Sequence, residues 1–166
     1  MNDIIRTAII PGSFDPFTLG HLDIVKRAAG LFDRVVVAVM VNPEKAATGM
    51  FSFAERKRIA ELSVSGIPGV TVITAGGYLA DLARALDACA IVKGVRNRDD
   101  YEYEQEMAVF NHERNPHCET VYLPSYGKMT EISSTLARRL ILEGKSTDGV
   151  LADGASEYIR SLTGEI

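Results

Sequence analysis

Residues Pro11 to His21 read Pro-Gly-Ser-Phe-Asp-Pro-Phe-Thr-Leu-Gly-His. They bring together a hydroxyl, an imidazole and a permissive backbone, the groups that phosphate chemistry uses. The apolar run Thr7-Ala8-Ile9-Ile10 precedes them and an amphipathic stretch from Leu22 to Phe32 follows. The motif therefore falls where a buried strand hands over to a helix. A helix start offers unpaired N–H groups and the positive end of the helix dipole, which together favour a bound phosphate. Gly12 and Gly20 allow a ligand to approach the backbone closely. Thr18 is the expected N-cap, which puts His21 in the first turn, beside any phosphate held there. A tight turn with a capping Thr and a surface His is the plainer reading. Gly-Ser-Phe-Asp-Pro followed by Thr-x-Gly-His joins too many independent constraints for that alone.

The elements that must position these residues alternate along the chain. Strands are expected at Thr7–Ile10, Val35–Val41, Val70–Thr74, Ile91–Val95 and Thr120–Leu123, and helices near Leu19–Phe32, Phe53–Ser65, Tyr78–Leu86, Asp100–Glu113 and Ser134–Glu143. Val35–Val41 is apolar throughout, as a parallel strand covered on both faces should be. Ser52-Phe53-Ala54-Glu55 is a capping-box candidate, and Gly30, Gly66 and Gly144 fall where helices should stop. The alternation predicts an α/β, Rossmann-like domain: a five-stranded parallel sheet with helices on both faces, spanning residues 1–166 as one unit. The tail, Lys145 to Ile166, offers one weak helix around Ala155–Leu162.

Ligands of such sheets bind outside the carboxyl ends of the strands. Reading the loops after each strand gives Ser13, Phe14, Thr18 and His21, then Asn42-Pro43-Glu44-Lys45, then Gly76-Gly77-Tyr78-Leu79, then Lys93-Gly94-Val95-Arg96, then Ser125 to Ser134. A His and three cations, Lys45, Lys93 and Arg96, converge, which suits a phosphate-rich substrate. Ser133-Ser134-Thr135 is a helix N-cap and a second anion site by the same dipole argument. Asp99-Asp100 is expected to cap the following helix. Tyr101, Tyr103, Met107 and Phe110 recur at helical spacing and are expected to pack. Glu102 and Glu106 share a solvent face. No nucleophile elbow, paired-carboxylate signature or Walker loop is present. Without an enzyme nucleophile, a site of cations and helix starts can still act through positioning and charge stabilisation.

Bulk properties narrow the classes. The 166 residues are 46% hydrophobic and 24% charged, with a formal net charge of −4. An acidic chain argues against a general nucleic-acid binder. Cys89 and Cys118 lack metal-ligand spacing and read as reduced thiols. Met1-Asn2-Asp3 does not open a signal peptide, and nothing approaches the length of a membrane span. The expected location is cytoplasmic.

Gly12 to His21 resembles the signature of the nucleotidylyltransferase superfamily, Thr/His-x-Gly-His. With Thr18 and the segment Lys93 to Asn111, the chain most resembles the bacterial phosphopantetheine adenylyltransferases, from about Thr7 to about Thr135. The resemblance implies transfer of the adenylyl group of ATP to 4′-phosphopantetheine, giving dephospho-coenzyme A and pyrophosphate in coenzyme A biosynthesis. It implies that His21 and Thr18 meet the ATP phosphates, that Ser13 and Phe14 lie near both substrates, and that Lys45 holds the acceptor phosphate. Lys93 matches an acceptor-site arginine, Arg96 an ATP-contacting arginine, and Glu104 an ATP-site acid. Gly94 and Val95 fall within the same ATP segment. Leu79 and Asn111 match positions along the pantetheine arm, and Met129, Thr130, Glu131, Ile132, Ser133, Ser134 and Thr135 match the closing nucleotide loop. The resemblance also implies Mg²⁺ bound mainly through ATP phosphates, coenzyme A as a feedback ligand and a homohexamer.

The chain departs from the family pattern in places. Ser13 replaces the usual Thr, Lys93 loses the guanidinium fork, and the loops at Ala46–Gly49 and Tyr126–Glu131 are slightly long. Ile132-Ser133-Ser134-Thr135 with Arg138 also resembles nicotinate-mononucleotide adenylyltransferases, in which a second His usually stands at the Thr18 position. A non-catalytic nucleotide sensor on the same fold is the alternative of a different class.

Overall fold

The computed structural model describes residues 5–41 and 48–164. Five strands, β1 (Thr7–Gly12), β2 (Arg34–Met40), β3 (Val70–Ala75), β4 (Ala88–Val95) and β5 (Glu119–Pro124), form one sheet in the order β3-β2-β1-β4-β5. Every pairing is parallel, so all carboxyl ends lie at one edge. The strand order reverses at β1 and β4, the switch point where a crevice opens.

Alternation along the strands builds two cores. Ala8, Ile10, Val35, Val37, Val39 and Val92 face a large cluster. It is completed by α1 (Leu19–Ala29), α2 (Phe53–Ser63), α5 (Ser134–Leu142) and α6 (Asp153–Thr163). Ile9, Val36, Ala38 and Ile91 face a smaller cluster under α3 (Leu79–Ala85). The remaining helix, α4 (Arg98–Arg114), packs against α3, β4 and β5 and buries only Asn111.

Several sequence expectations are corrected. Strand β1 continues through Pro11 and Gly12, which keep their register with Ala38 and Val39 of β2. Its pairing with β4 stops at Ile9. The two central strands thus part at Pro11, a residue with no N–H to lose from a ladder. Strand β4 starts at Ala88, because the ladder with β1 overrides the weak strand propensity of Ala88-Cys89-Ala90. Asn97, not Asp99-Asp100, caps α4: its side chain accepts from the Asp100 N–H at 2.9 Å. Tyr101, Tyr103, Met107 and Phe110 do not pack into a core but stay 41–69% exposed. The weak tail helix is a full α6, with Ala155 and Ile159 buried and its face packed on α2. The capping box at Ser52 and Glu55 forms as expected. Cys89 and Cys118 are free thiols. Among the described residues, no helix is long and apolar enough to cross a membrane.

Candidate active site

The loop between β1 and α1 is built around His21. Thr18 caps α1, and His21, at the third helical position, closes a reciprocal capping box. The Thr18 backbone N–H donates to His21 Nδ1 at 2.9 Å. Nδ1 is thereby an acceptor without a proton, so the neutral ring carries its hydrogen on Nε2. Phe14 meets the imidazole edge-on at 5.0 Å between centroids, and Phe17 tilts against it at 5.2 Å. Burial, and secondarily the charge of Arg96, lower the His21 pKa from 6.5 to about 4. At neutral pH this residue is a fixed, uncharged donor.

Phe14 reaches its place with φ of 45°, a conformation uncommon outside glycine. Its ring occupies the space beside Gly12, where a Cβ would stand 2.8 Å from Phe14 Cζ. Gly12 thus admits an aromatic ring of the protein itself and also lines both cavities, where a ligand can approach its backbone. Gly20 sits against the Ile132 carbonyl, with a Cβ position 3.5 Å away. From the far side, Ser134 Oγ donates to the Pro16 carbonyl at 2.8 Å and Arg138 to the Asp15 carbonyl at 2.7 Å. The N-cap of α5 is Ser133, whose hydroxyl accepts from Leu136 at 3.0 Å.

Two cavities open at the parting of β1 and β4. The larger, about 710 Å³, is lined by Ser13, Phe14, Thr18, His21, Lys93, Gly94, Arg96, Glu104, Met129, Ile132, Ser133, Ser134 and Thr135. The second, about 420 Å³, is more apolar, with Met40, Tyr78, Leu79, Ile91, Met107 and Phe110 in its wall, together with Asn111. They share Pro11, Gly12, Ser13, Lys93, Tyr103 and Glu104. The structure thus gathers most of the predicted residues at one sheet edge, His21 and Arg96 among them. Val95, Thr130 and Glu131 line neither cavity. Val95 is held in the ladder opposite Pro124, and Thr130 donates back to the Gly127 carbonyl. Lys45 lies outside the described residues.

Both cations at the end of β4 are matched by acids of α4. Lys93 Nζ lies 2.9 Å from Glu104 Oε1. Arg96 forms a two-pronged contact with Asp100, at 2.9 and 3.1 Å. That bond raises the Arg96 pKa and lowers that of Asp100. Asp100 is one turn before Glu104, so a single helix face supplies both carboxylates. Sequence reading gave Asp100 to a cap because Asp and Asn are near equals there. In the second cavity, Asn111 is 5% exposed and its Oδ1 has no hydrogen-bond partner. An orphaned buried carbonyl oxygen at a cavity wall suits a ligand N–H. Sequence reading also missed Asp15 and Arg56, a buried pair behind the loop. The signal was available: Arg56 shares the buried face of α2 with Ile59, Ala60 and Ser63.

The comparisons agree with this geometry. A family model described as cytidylyltransferase-like matches residues 9–140. A phosphopantetheine adenylyltransferase of Clostridium tetani is 39% identical over 155 residues, 93% of this chain and 96% of its own. Relatives of the same name from Caldanaerobacter subterraneus and Symbiobacterium thermophilum are 40% and 41% identical, each over at least 92% of both chains. With the parted central strands, the Thr18–His21 box and the paired cavities, these near-full-length matches place the chain in the phosphopantetheine adenylyltransferase family.

Proposed function

We propose that this chain transfers the adenylyl group of ATP to 4′-phosphopantetheine, giving dephospho-coenzyme A and pyrophosphate. The observation that carries the reading is the meeting of two unlike cavities at Ser13, Lys93 and Glu104. One is polar and bordered by the starts of α1 and α5, as a triphosphate requires. The other is apolar with one orphaned amide oxygen, as a pantetheine arm bearing amide N–H groups requires. The phosphate end of that arm and the α-phosphate of ATP would meet at the junction.

The chemistry is an in-line displacement. An oxygen of the acceptor phosphate attacks the α-phosphorus; that O–P bond forms as the bond to the bridging oxygen of the β-phosphate breaks, and pyrophosphate leaves with the electron pair. The attacking oxygen carries no proton, so no general base is needed. His21 donates through Nε2–H to charge developing on the α-phosphate, where a preorganised neutral donor stabilises the transition state more than the ground state. Arg96 holds the ATP phosphates, while Lys93 and Lys45 hold the acceptor phosphate. Main-chain N–H groups at the starts of α1 and α5 add fixed partial charge.

Magnesium belongs to the same reading. Among the described residues no group of three or more His, Cys, Asp or Glu side chains could hold an ion. The cavity lining sets Lys93, Arg96 and two helix starts beside carboxylates already paired with those cations, which suits an ion carried in on the phosphates. When bound, it neutralises triphosphate charge. The exposed Tyr101, Val109 and Phe110 of α4 support association between copies, in keeping with a homohexamer. A cytoplasmic location and coenzyme A as a feedback ligand complete the proposal. Arg138, part of the resemblance to nicotinate-mononucleotide enzymes, donates to the Asp15 carbonyl and also lines the larger cavity, so the choice of acceptor rests on Thr18 and the Lys93–Glu104 segment. Pyrophosphate release from ATP, measured side by side with 4′-phosphopantetheine and nicotinate mononucleotide, tests the assignment. Faster release with the mononucleotide rejects it.

A further inference from the structure

Behind the catalytic loop lies an ion pair that neither cavity touches. Asp15 and Arg56 are 8% and 6% exposed, and Arg56 Nε stands 3.3 Å from Asp15 Oδ1. A buried pair of this kind is a weak source of net stability, because desolvation cancels most of the attraction. Its hydrogen bonds have a common direction. Asp15 accepts from the Met50 and Phe51 N–H groups, each at 2.9 Å. Arg56 donates to the Phe51 carbonyl at 2.8 Å and to the Ser13 carbonyl at 3.3 Å. Two of the four bonds join the β1–α1 loop directly to residues 50 and 51, just after the Lys45 segment in sequence, and the other two tie Arg56 of α2 to both sides of that junction, at Phe51 and at Ser13. Gly49 completes the arrangement. A Cβ there would overlap the Arg56 guanidinium and stand 3.0 Å from Asp15 Oδ2.

We infer that Asp15 and Arg56 are a positioning pair for adenylyl transfer, fixing the spacing between the loop of Ser13, Phe14 and Thr18 and the segment that follows Lys45. The inference rests on the reaction proposed above. It assigns the pair to the alignment of the two phosphates, not to the affinity for either substrate. Misplacement of reacting groups by about 1 Å costs about 10²-fold in rate, whereas each substrate keeps its own contacts.

The test uses two perturbations from opposite sides. Arg56→Lys keeps the charge and loses the fork. Gly49→Ala keeps every charged group and displaces the guanidinium. Both are first shown to be folded by thermal melting. Turnover is then measured at saturating ATP and 4′-phosphopantetheine, and the affinity for each substrate by calorimetry. The expected result is a fall in kcat of about 10²-fold for Arg56→Lys and about 10-fold for Gly49→Ala, larger than any loss of affinity. A kcat within about threefold of the parent, ~0.7 kcal/mol, overturns the inference. So does a loss of affinity as large as the loss of kcat, which marks a merely structural pair. Should Arg56→Lys not fold, Gly49→Ala decides by the same criteria. A parent that releases no pyrophosphate refutes the reaction; an active parent with undiminished variants refutes the positioning pair alone.

Discussion

Lowering the pH should cost this protein stability through His21 in a way that its removal abolishes. The unfolded imidazole binds a proton near 6.5, the native one only at about 4. Between these values the unfolded state holds the extra proton, so stability falls as pH falls. At about 1.36 kcal/mol for each tenfold difference, going from about pH 7.5 to about pH 4.5 removes up to ~2.5 kcal/mol. The ring also borders the larger cavity, where water screens part of the penalty, so at least ~1 kcal/mol is expected. The perturbation is His21→Gln, which keeps a polar side chain and removes the titration. Urea unfolding of parent and variant at both pH values gives the difference, in which all other titrating groups cancel. The parent should lose its advantage over the variant, or fall behind it, as the solution is acidified. An NMR titration of the His21 ring supplies the independent measure. A difference that moves by less than ~0.5 kcal/mol, or a ring that titrates at 6.5 or above, refutes the account of a half-buried neutral imidazole fixed by the Thr18 N–H.

Three further outcomes are expected. His21→Ala should lower kcat by roughly 10²–10³ while leaving ATP affinity little changed, as loss of one preorganised donor does; steady-state kinetics with ATP calorimetry checks this. Lys45→Ala should weaken the acceptor more than ATP, by about 1.5–3 kcal/mol for a lost charge-assisted contact, and equal weakening of both substrates would contradict its role. Asn111→Leu should raise the acceptor KM by roughly threefold to tenfold without lowering the melting temperature, because its Oδ1 has no partner to lose; an unchanged acceptor KM would remove Asn111 from the arm site.

The sheet was legible because its physics is written locally. Parallel strands covered on both faces must be apolar throughout, and Val35–Val39 is. Parallel connection then brings every carboxyl end to one edge, which gathers His21, Lys93, Arg96 and Ser133 from distant parts of the chain. What stayed hidden depends on partners that sequence spacing does not name. Capping preference did not separate Asn97 from Asp100; the Arg96 guanidinium did, by claiming the Asp100 carboxylate. Helical periodicity put Tyr101, Tyr103, Met107 and Phe110 near one another, but it says nothing of whether another surface covers them. Arg56 on an apolar helix face was a readable anomaly, since a charge at such a position needs a buried partner.

The two carboxylates of α4 that face Lys93 and Arg96 bear on how binding responds to ionic strength. A cationic groove open to solvent collects mobile anions, and a phosphate ligand must expel them, so affinity falls steeply with salt. Here the anions are covalent parts of the protein, and under the proposed reading a phosphate would displace Asp100 and Glu104 rather than chloride. Added salt offers little competition for cations already matched, and it equally weakens the hold of the resident acids. Affinity for the phosphates should therefore vary gently with salt, leaving the site serviceable across a range of ionic conditions.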